Sequence, residues 1–355
     1  MKIIKYLFFL LLIGIIAGAV YVATKNGDYQ MERSVVIKAP VSVVFNEVNN
    51  FHNWEDWSPW SKRTEDVIVL YSDTTSGKGA SFSWKSESLG KGKITNIKVL
   101  PNSSIDEKLF LSPASYADSK SDAYWKFDSI SEGTKVTWGI KGEQSFMEKL
   151  AYTFKDSSFT QQLKPLFNQA LSNLKEVTVE KMNRHSINVD GITQLGGGYY
   201  MYTTTASKIG KIPSQMKKMF KDLSNYMEQN NITQLGDPFI LFNEWDRQNN
   251  SAIYSAGIFT PSLIITPEES SVLNGMLPSE KVVKVTLKGD YKFLPEARDQ
   301  AFEYLRTNNL VPSDEGKMLE MYSVSPKDTP NPAEWVTEIY IPVTEMPQDN
   351  ETVTE

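Results

Sequence analysis

Two acid–phenol pairs stand near the C-terminus of this 355-residue chain, Glu320 with Tyr322 and Glu338 with Tyr340. In the stretch Trp335-Val336-Thr337-Glu338-Ile339-Tyr340-Ile341-Pro342-Val343, strand alternation puts Val336, Glu338 and Tyr340 on one face. Trp335, Thr337, Ile339 and Ile341 fall on the other, which reads as core. A carboxylate and a phenol in mid-strand differ from an ordinary solvated face, which carries Lys, Thr or Ser. A lone acid on a sheet face rimmed by aromatic residues is a seat for a cationic or hydrogen-bonding small molecule. The same pair could serve as general base and helper if burial raised the acid toward neutrality. A third acid, Glu107, shares parity with Ile105, Leu109 and Leu111. Facing inward it would need a partner or a raised pKa; the expectation is that it lies near an open edge and reaches solvent.

Other chemistries are excluded by composition. The chain has no cysteine, which removes disulfides, thiolate catalysis and Cys-based metal sites. With only His52 and His185, neither a His-rich metal centre nor a Ser-His-Asp arrangement is expected. No loop has the acid spacing of a calcium site, so neither metal nor cofactor is implied. A net charge of −6 without a basic stripe argues against a nucleic-acid partner. The length predicts two domains.

The N-terminus stands apart. Lys2 and Lys5 precede Tyr6 to Ala23, 18 residues without a charge, which as a helix would reach about 27 Å, close to the hydrocarbon thickness of a bilayer. Residues 1–24 are therefore expected to be a single-pass anchor, with the N-terminus cytoplasmic and the domains outside, in the periplasm. The alternative is a signal peptide, cleaved near Ala17-Gly18-Ala19, and a secreted protein.

Residues 30–180 read as the first domain. A strand ends at Pro40, and Val41 to Val48 follow at helical spacing. Next come an aromatic run, Phe51 to Trp60, and six alternating segments between Val67 and Lys141. An apolar helical stripe closes the region, with Met147, Leu150 and Phe154, then Leu163, Leu166, Phe167, Ala170 and Leu174. A break is expected at Asp156 to Ser158 or at Pro165. Four motifs carry a likeness: Ile37-x-Ala39-Pro40-x-x-x-Val44-Phe45, Asn53-Trp54-x-x-Trp57-Ser58-Pro59-Trp60, Gly79-Ala80-x-x-x-Trp84 and Gly133-Thr134-x-Val136-x-Trp138. On these the region resembles the START-like SRPBCC superfamily, of the polyketide-cyclase type. The resemblance implies a helix-grip fold with a chamber between sheet and long helix. Trp84 and Trp138 are candidates to line that chamber, or else are core; Trp54, Trp57 and Trp60 are expected to form a lid on the sheet end.

Residues 190–345 read as the second domain and contain a duplication. Strand (Gly198 to Thr205), helix (Pro213 to Gln229) and two strands (Pro238 to Asp246, Ser251 to Thr260) are followed by the same order. The second copy is Lys281 to Lys288, Leu294 to Asn308, Lys317 to Ser325 and Trp335 to Val343. Two such units predict one sheet with both helices behind it and a groove on the open face. Gly289-Asp290-Tyr291, Glu320-x-Tyr322 and Trp335-x-Thr337-Glu338-x-x-Ile341-Pro342-Val343 resemble the GyrI-like effector-binding domain. The resemblance implies that Glu338 engages a cationic or polar ligand, and that Glu320 and Tyr322 support the site. Tyr340, Tyr200, Tyr202, Tyr322 and Trp245 are candidates for the aromatic wall. Aligned by strand ends, Glu338 corresponds to Ser255 and Tyr340 to Gly257, so the carboxylate stands on one side only.

The fold class is thus α+β, a helix-grip domain plus a duplicated strand-helix-strand-strand domain after one apolar helix. Residues 346–355, acidic and polar, read as a disordered tail. The leading functional expectation is non-catalytic binding, sensing or sequestration of an amphipathic, hydrophobic or cationic small molecule at the bacterial envelope. A hydrolase using Glu338 as base and a structural envelope protein with collapsed pockets are the alternatives.

Overall fold

The computed structural model describes residues 2–58, 66–87, 90–112, 118–153, 155, 158–246, 248–314 and 316–345. Trp60, Phe154, Asp156 and the 346–355 tail fall outside them. The chain divides into two compact units, Met1–Lys181 and Met182–Glu355, both α+β with large antiparallel sheets. It opens with α1 (Lys2–Thr24), and the stretch Ile3–Thr24 is long and apolar enough to cross a membrane.

In the first unit the strands are β1 (Asp28–Ile37), β2 (Ile68–Tyr71), β3 (Ser81–Ser86), β4 (Gly90–Leu100), β5 (Ser104–Ser112), β6 (Ser119–Ile130) and β7 (Gly133–Glu143). They form a seven-stranded sheet in the order β1-β7-β6-β5-β4-β3-β2, antiparallel throughout. The helices are α2 (Val41–Asn49), α3 (Trp54–Trp57), α4 (Phe146–Thr153) and α5 (Phe159–Met182); Pro165 lies within α5 and does not end it. One stripe of α5 is buried, Phe167, Ala170, Leu171 and Leu174, because it packs on the inward-pointing aromatic residues of the sheet. The Phe167 ring stacks on Trp138 at 3.8 Å between centroids, and Trp138 stacks on Trp125 at 4.6 Å. Trp54 and Trp57, expected as a lid, lie fully buried with their rings 6.1 and 5.8 Å from Trp125. Trp84 packs in the same interior against Phe82. Stacked rings occupy the place where a chamber was expected.

Glu107 corrects the sequence reading. It lies in β5, the fourth of seven strands, so no sheet edge is near. The side chain points inward and is 2% exposed. Trp125 Nε1 donates to its Oε2 at 3.2 Å, while its Oε1 has no partner among the described residues. Burial pushes the carboxyl up to about 8, with the Trp125 bond opposing the rise.

The second unit has nine strands: β8 (Ser186–Leu195), β9 (Gly198–Lys208), β10 (Leu235–Asp246), β11 (Ser251–Thr260), β12 (Leu273–Leu277), β13 (Glu280–Lys288), β14 (Leu310–Pro312), β15 (Leu319–Val324) and β16 (Val336–Glu345). Its helices are α6 (Ile212–Gln229) and α7 (Leu294–Thr307). The main sheet runs β12-β9-β11-β10-β15-β16-β13-β8, with β14 beside β16. Its two ends are joined by the chain itself. Gly196 and Gly197 alone separate β8 from β9, and Pro278 and Ser279 alone separate β12 from β13. Pairing runs from Leu273↔Tyr202 to Leu277↔Gly198 and resumes in the same register at Glu280↔Leu195. These two long strands bond β11 and β16 on their other edges, so the ladder runs full circle and the sheet curls on itself. Gly197 is required where they cross, because a Cβ there would lie 2.2 Å from the Leu277 carbonyl oxygen.

Alternation then sorts the side chains into two faces. The inner face buries Tyr200, Phe239, Leu241, Val282, Leu319 and Tyr340. The outer face carries α7 over Val283, Val285, Leu287, Ile339 and Ile341, and α6 over Ile240, Phe242, Tyr254 and Ala256. Both helices are amphipathic, so each buries one stripe and leaves the other to solvent.

Candidate functional site

The two outer helices stand apart, and the floor between them is left to β15. The result is a cleft of about 1140 Å³, lined from α6 by Ile212, Met216 and Phe220, and from the opposite side by Tyr291, Leu294 and Trp335. Its floor is Glu320 and Tyr322. Local sequence explains the walls. Asp290 caps the turn into α7 by accepting from Lys292 N at 2.9 Å, which fixes Tyr291 at the cleft mouth. Asn331 does the same before Trp335, accepting from Ala333 N at 3.2 Å. Trp335 Nε1 donates to the Thr329 carbonyl at 2.9 Å. The Tyr291 ring then sits 4.8 Å from Trp335 and 5.3 Å from Tyr322, with Phe220 5.9 Å from Tyr322.

The floor is electrostatically closed. Glu320 is fully buried, and Arg298 from α7 donates through Nε to its Oε1 at 2.6 Å. Tyr322 OH donates to Oε2 at 3.2 Å. The guanidinium also lies over two rings, 4.8 Å from the Trp245 centroid and 5.6 Å from Phe242. Burial works against the charge of Arg298, but the Glu320 carboxylate outweighs it and holds the guanidinium protonated. Tyr322 is pushed well above its ordinary range, first by burial and then by Glu320, so it remains a phenol. Burial raises Tyr291 in the same way, with Asp328 and Asp290 adding to it. The rim carries Lys217, Lys221, Lys292 and Lys327 against Asp237, Asp290 and Asp328. Of these acids, Asp290 is committed to its cap, and Asp328 accepts from Ser325 N and Oγ at 2.9 and 2.7 Å. The cleft thus presents aromatic faces, a neutralised floor and a rim of exposed lysines.

The residues singled out from sequence divide between three places. Glu320 and Tyr322 floor the cleft, and Trp245 backs it beneath Arg298. Glu338, Tyr340 and Tyr202 lie on the opposite, inner face, so the cleft does not open on the side expected from their parity. There Lys284 Nζ donates to Glu338 Oε1 at 2.7 Å and Tyr340 OH to Oε2 at 2.6 Å. Both oxygens are engaged, and burial followed by the Glu338 contact raises Tyr340. Glu338 is a cross-strand tie. Its counterpart position Ser255 bonds Thr204 Oγ1 and Asn243 Nδ2, each at 2.8 Å. Gly257, opposite Tyr340 in the repeat, leaves room for Phe239, whose ring would lie 2.4 Å from a Cβ there. Trp84 and Trp138 belong to the interior of the first unit. Arg298, Tyr291 and Trp335 were not assigned to a site from sequence; an arginine on the apolar stripe of α7, beside Ala297 and Ala301, was the available signal.

Glu338→Gln is expected to lower stability by about 1 kcal/mol, because the Lys284–Glu338 pair keeps partial contact with solvent and an amide can still accept from Tyr340. The same variant should leave affinity in the cleft unchanged. Urea unfolding and calorimetric titration of variant and parent check the two parts.

Residues 199–344 match the GyrI-like small molecule binding domain. The GyrI-like domain therefore contains the whole described cleft, from Ile209 to Trp335. No curated protein matches the chain. Among solved structures it is similar to the EcmrR C-terminal domain, with 17% identity over 46% of this chain and 99% of that one, at a TM-score of 0.39. It is also similar to EcmrR in an EcmrR–DNA complex, with 13% identity over 57% and 78% and a TM-score of 0.40. A protein from Chromobacterium violaceum shares 12% identity over 42% and 96%, with a TM-score of 0.32. The GyrI-like match implies binding of a small molecule.

Proposed function

We infer that the chain is a non-catalytic receptor whose GyrI-like domain takes a flat aromatic small molecule, uncharged or acidic, between α6 and α7. The observation that carries this reading is the aromatic cleft of about 1140 Å³ with a floor already neutralised by Arg298. A cation entering the cleft meets no unpaired buried carboxylate, since Glu320 is bonded on both oxygens. Rings of Tyr291, Trp335, Tyr322 and Phe220 offer stacking surface, and Lys217 and Lys221 on the exposed side of α6 suit an acidic substituent. Catalysis finds no support in the candidate base Glu338, which is tied by Lys284 and Tyr340. The apolar α1 supports an anchored receptor at the envelope, with the first unit as a START-like spacer; the element order that supports this reading is strand, two helices, six strands, a short helix and a long one.

Calorimetric titration of the full chain with matched neutral, acidic and basic bicyclic aromatic compounds tests the reading. Neutral and acidic members are expected to bind, and Ser224→Trp, which fills the cleft from α6, should weaken them at least about tenfold. Preferential binding of the basic members, lost in Glu338→Gln, would move the site to the inner face and overturn the assignment.

A further inference from the structure

Helix α4 follows the β7 strand and exposes an apolar face that nothing among the described residues of its own unit covers. Phe146, Met147 and Leu150 are 42%, 57% and 38% exposed, and their spacing puts them on one side of the helix. The same helix is held firmly from behind. Ser145 N donates to Glu148 Oε2 at 2.8 Å and Glu148 N donates to Ser145 Oγ at 3.3 Å, a reciprocal capping box that buries Glu148. A frayed terminus would not be capped in this way. The apolar face is therefore presented, not shed.

The position of α4 says what it meets. Asp28 pairs with Glu143, and Gln144 N donates to the Gly27 carbonyl at 2.9 Å, so the end of β7 is bonded to the residues that follow α1. The Lys149 side chain lies across Gly27, where a Cβ would come within 2.4 Å of its Cε. Val22, in the last turn of α1, is 2% exposed, whereas Val20 and Tyr21 are 57% and 59% exposed. The C-terminal end of the apolar helix and the start of α4 are thus at one level. Lys25 lies 4.8 Å from the Tyr21 ring and Lys155 4.9 Å from the Tyr152 ring, aromatic–lysine pairs of the kind that sit at a membrane–water boundary. Asp118, Lys120 and Glu143 face the same junction and keep its solvent side polar.

We propose that α4 is an interfacial helix, its Phe146, Met147 and Leu150 side chains seated in the outer boundary of the bilayer that α1 crosses. The first unit would then be held at two points, by the span and by α4, with β1 and β7 rising from the membrane. The far end of that sheet, at the Ile130–Gly133 turn, would stand well above the surface. The inference rests on the anchor reading of α1 and goes beyond it.

Because the chain has no cysteine, single labels report one site each. The full chain is placed in phosphatidylcholine–phosphatidylglycerol vesicles with an environment-sensitive fluorophore at Ile13→Cys, Met147→Cys, Leu150→Cys or Ser129→Cys. Labels at 147 and 150 are expected to be quenched by spin-labelled lipid and protected from iodide, with the label at 129 showing the reverse. If 13 is protected but 147 and 150 are as open to iodide as 129, the anchor stands and the α4 inference is overturned. Shielding of 147 and 150 from both quenchers would mark a protein surface in place of lipid and would also overturn it. If 13 is reached by iodide, the anchor reading itself fails and takes this one with it.

Discussion

Replacing Arg298 by Met is expected to lower the stability of the GyrI-like domain by about 3–5 kcal/mol. The reason is Glu320. Its carboxylate is fully buried, and the Arg298 Nε bond at 2.6 Å is its only charged partner among the described residues. Without Arg298 an uncompensated charge would remain in the floor, supported only by Tyr322 OH at 3.2 Å. Lys at 298 should not rescue it, since the planar guanidinium also stacks over Trp245 and Phe242. The double variant Arg298→Met, Glu320→Leu should recover most of the loss, because an apolar pair of similar volume carries no desolvation cost. Hydrogen exchange read on peptides from β15 and β16, against peptides from the first unit, would locate the effect. Equal losses in single and double variants would show that Arg298 matters for packing and not for charge. The double variant is also informative for binding: affinity for acidic compounds should survive if the rim lysines read them, and fall if Arg298 does.

The elements of the GyrI-like domain were legible where periodicity was strong. The stripe Met216, Met219, Phe220, Leu223 and Met227 marked α6, and the β-branched alternation of Val282 to Leu287 marked β13. Three strands were not legible: the three-residue β14, and β8 and β12, which close the sheet. In β8 the pairing shifts opposite Lys284 and Val285, with Gly191 at φ +86°, so Ile187 and Val189 fall out of phase with Leu195. β12, Leu-Asn-Gly-Met-Leu, has no β-branched residue. The face on which the cleft opens was hidden for a related reason. Alternation separates two faces but does not say between which elements a gap remains. Glu320 shares its face with Tyr322, and Arg298 interrupts the stripe of α7. Each alone resembles an exception on an apolar surface; only as partners across two elements do they mark the floor of a site. Glu107 shows the converse. Its parity with Ile105 and Leu109 pointed inward, but the strand's central place in the sheet depends on long-range pairing that local pattern does not contain.

Glu107→Gln is the second large effect, and its sign is opposite to that of most core substitutions. The carboxyl titrates near 8 in the folded unit and near 4.5 when exposed. A raised folded value means that the protonated form is favoured by folding. Its contribution is complete below pH 4.5 and is lost as pH rises through 8. Between pH 5 and 8 the parent should therefore lose on the order of 3–4 kcal/mol of stability from this group alone. The surroundings explain why protonation is accommodated. Asn96 is the cross-strand neighbour of Glu107, is 1% exposed, and has an Oδ1 without a partner among the described residues. Its Nδ2 is turned away to the Gly77 carbonyl at 3.2 Å. An ionised Glu107 would place two acceptors on adjacent strands; a protonated one would offer a donor on the strand beside Asn96, while Trp125 Nε1 continues to hold the other oxygen. Gln has this arrangement at every pH, with an amide donor in place of the acid proton. The variant should match the parent near pH 5, exceed it by about 3 kcal/mol near pH 8, and show a nearly flat profile between. Calorimetric or urea unfolding across that range, followed by hydrogen exchange at β5 and β6, measures it. Superimposable profiles for parent and variant would mean that Glu107 ionises in the folded unit without cost, and that water reaches it through the interior in which Trp57, Trp125 and Trp138 lie buried.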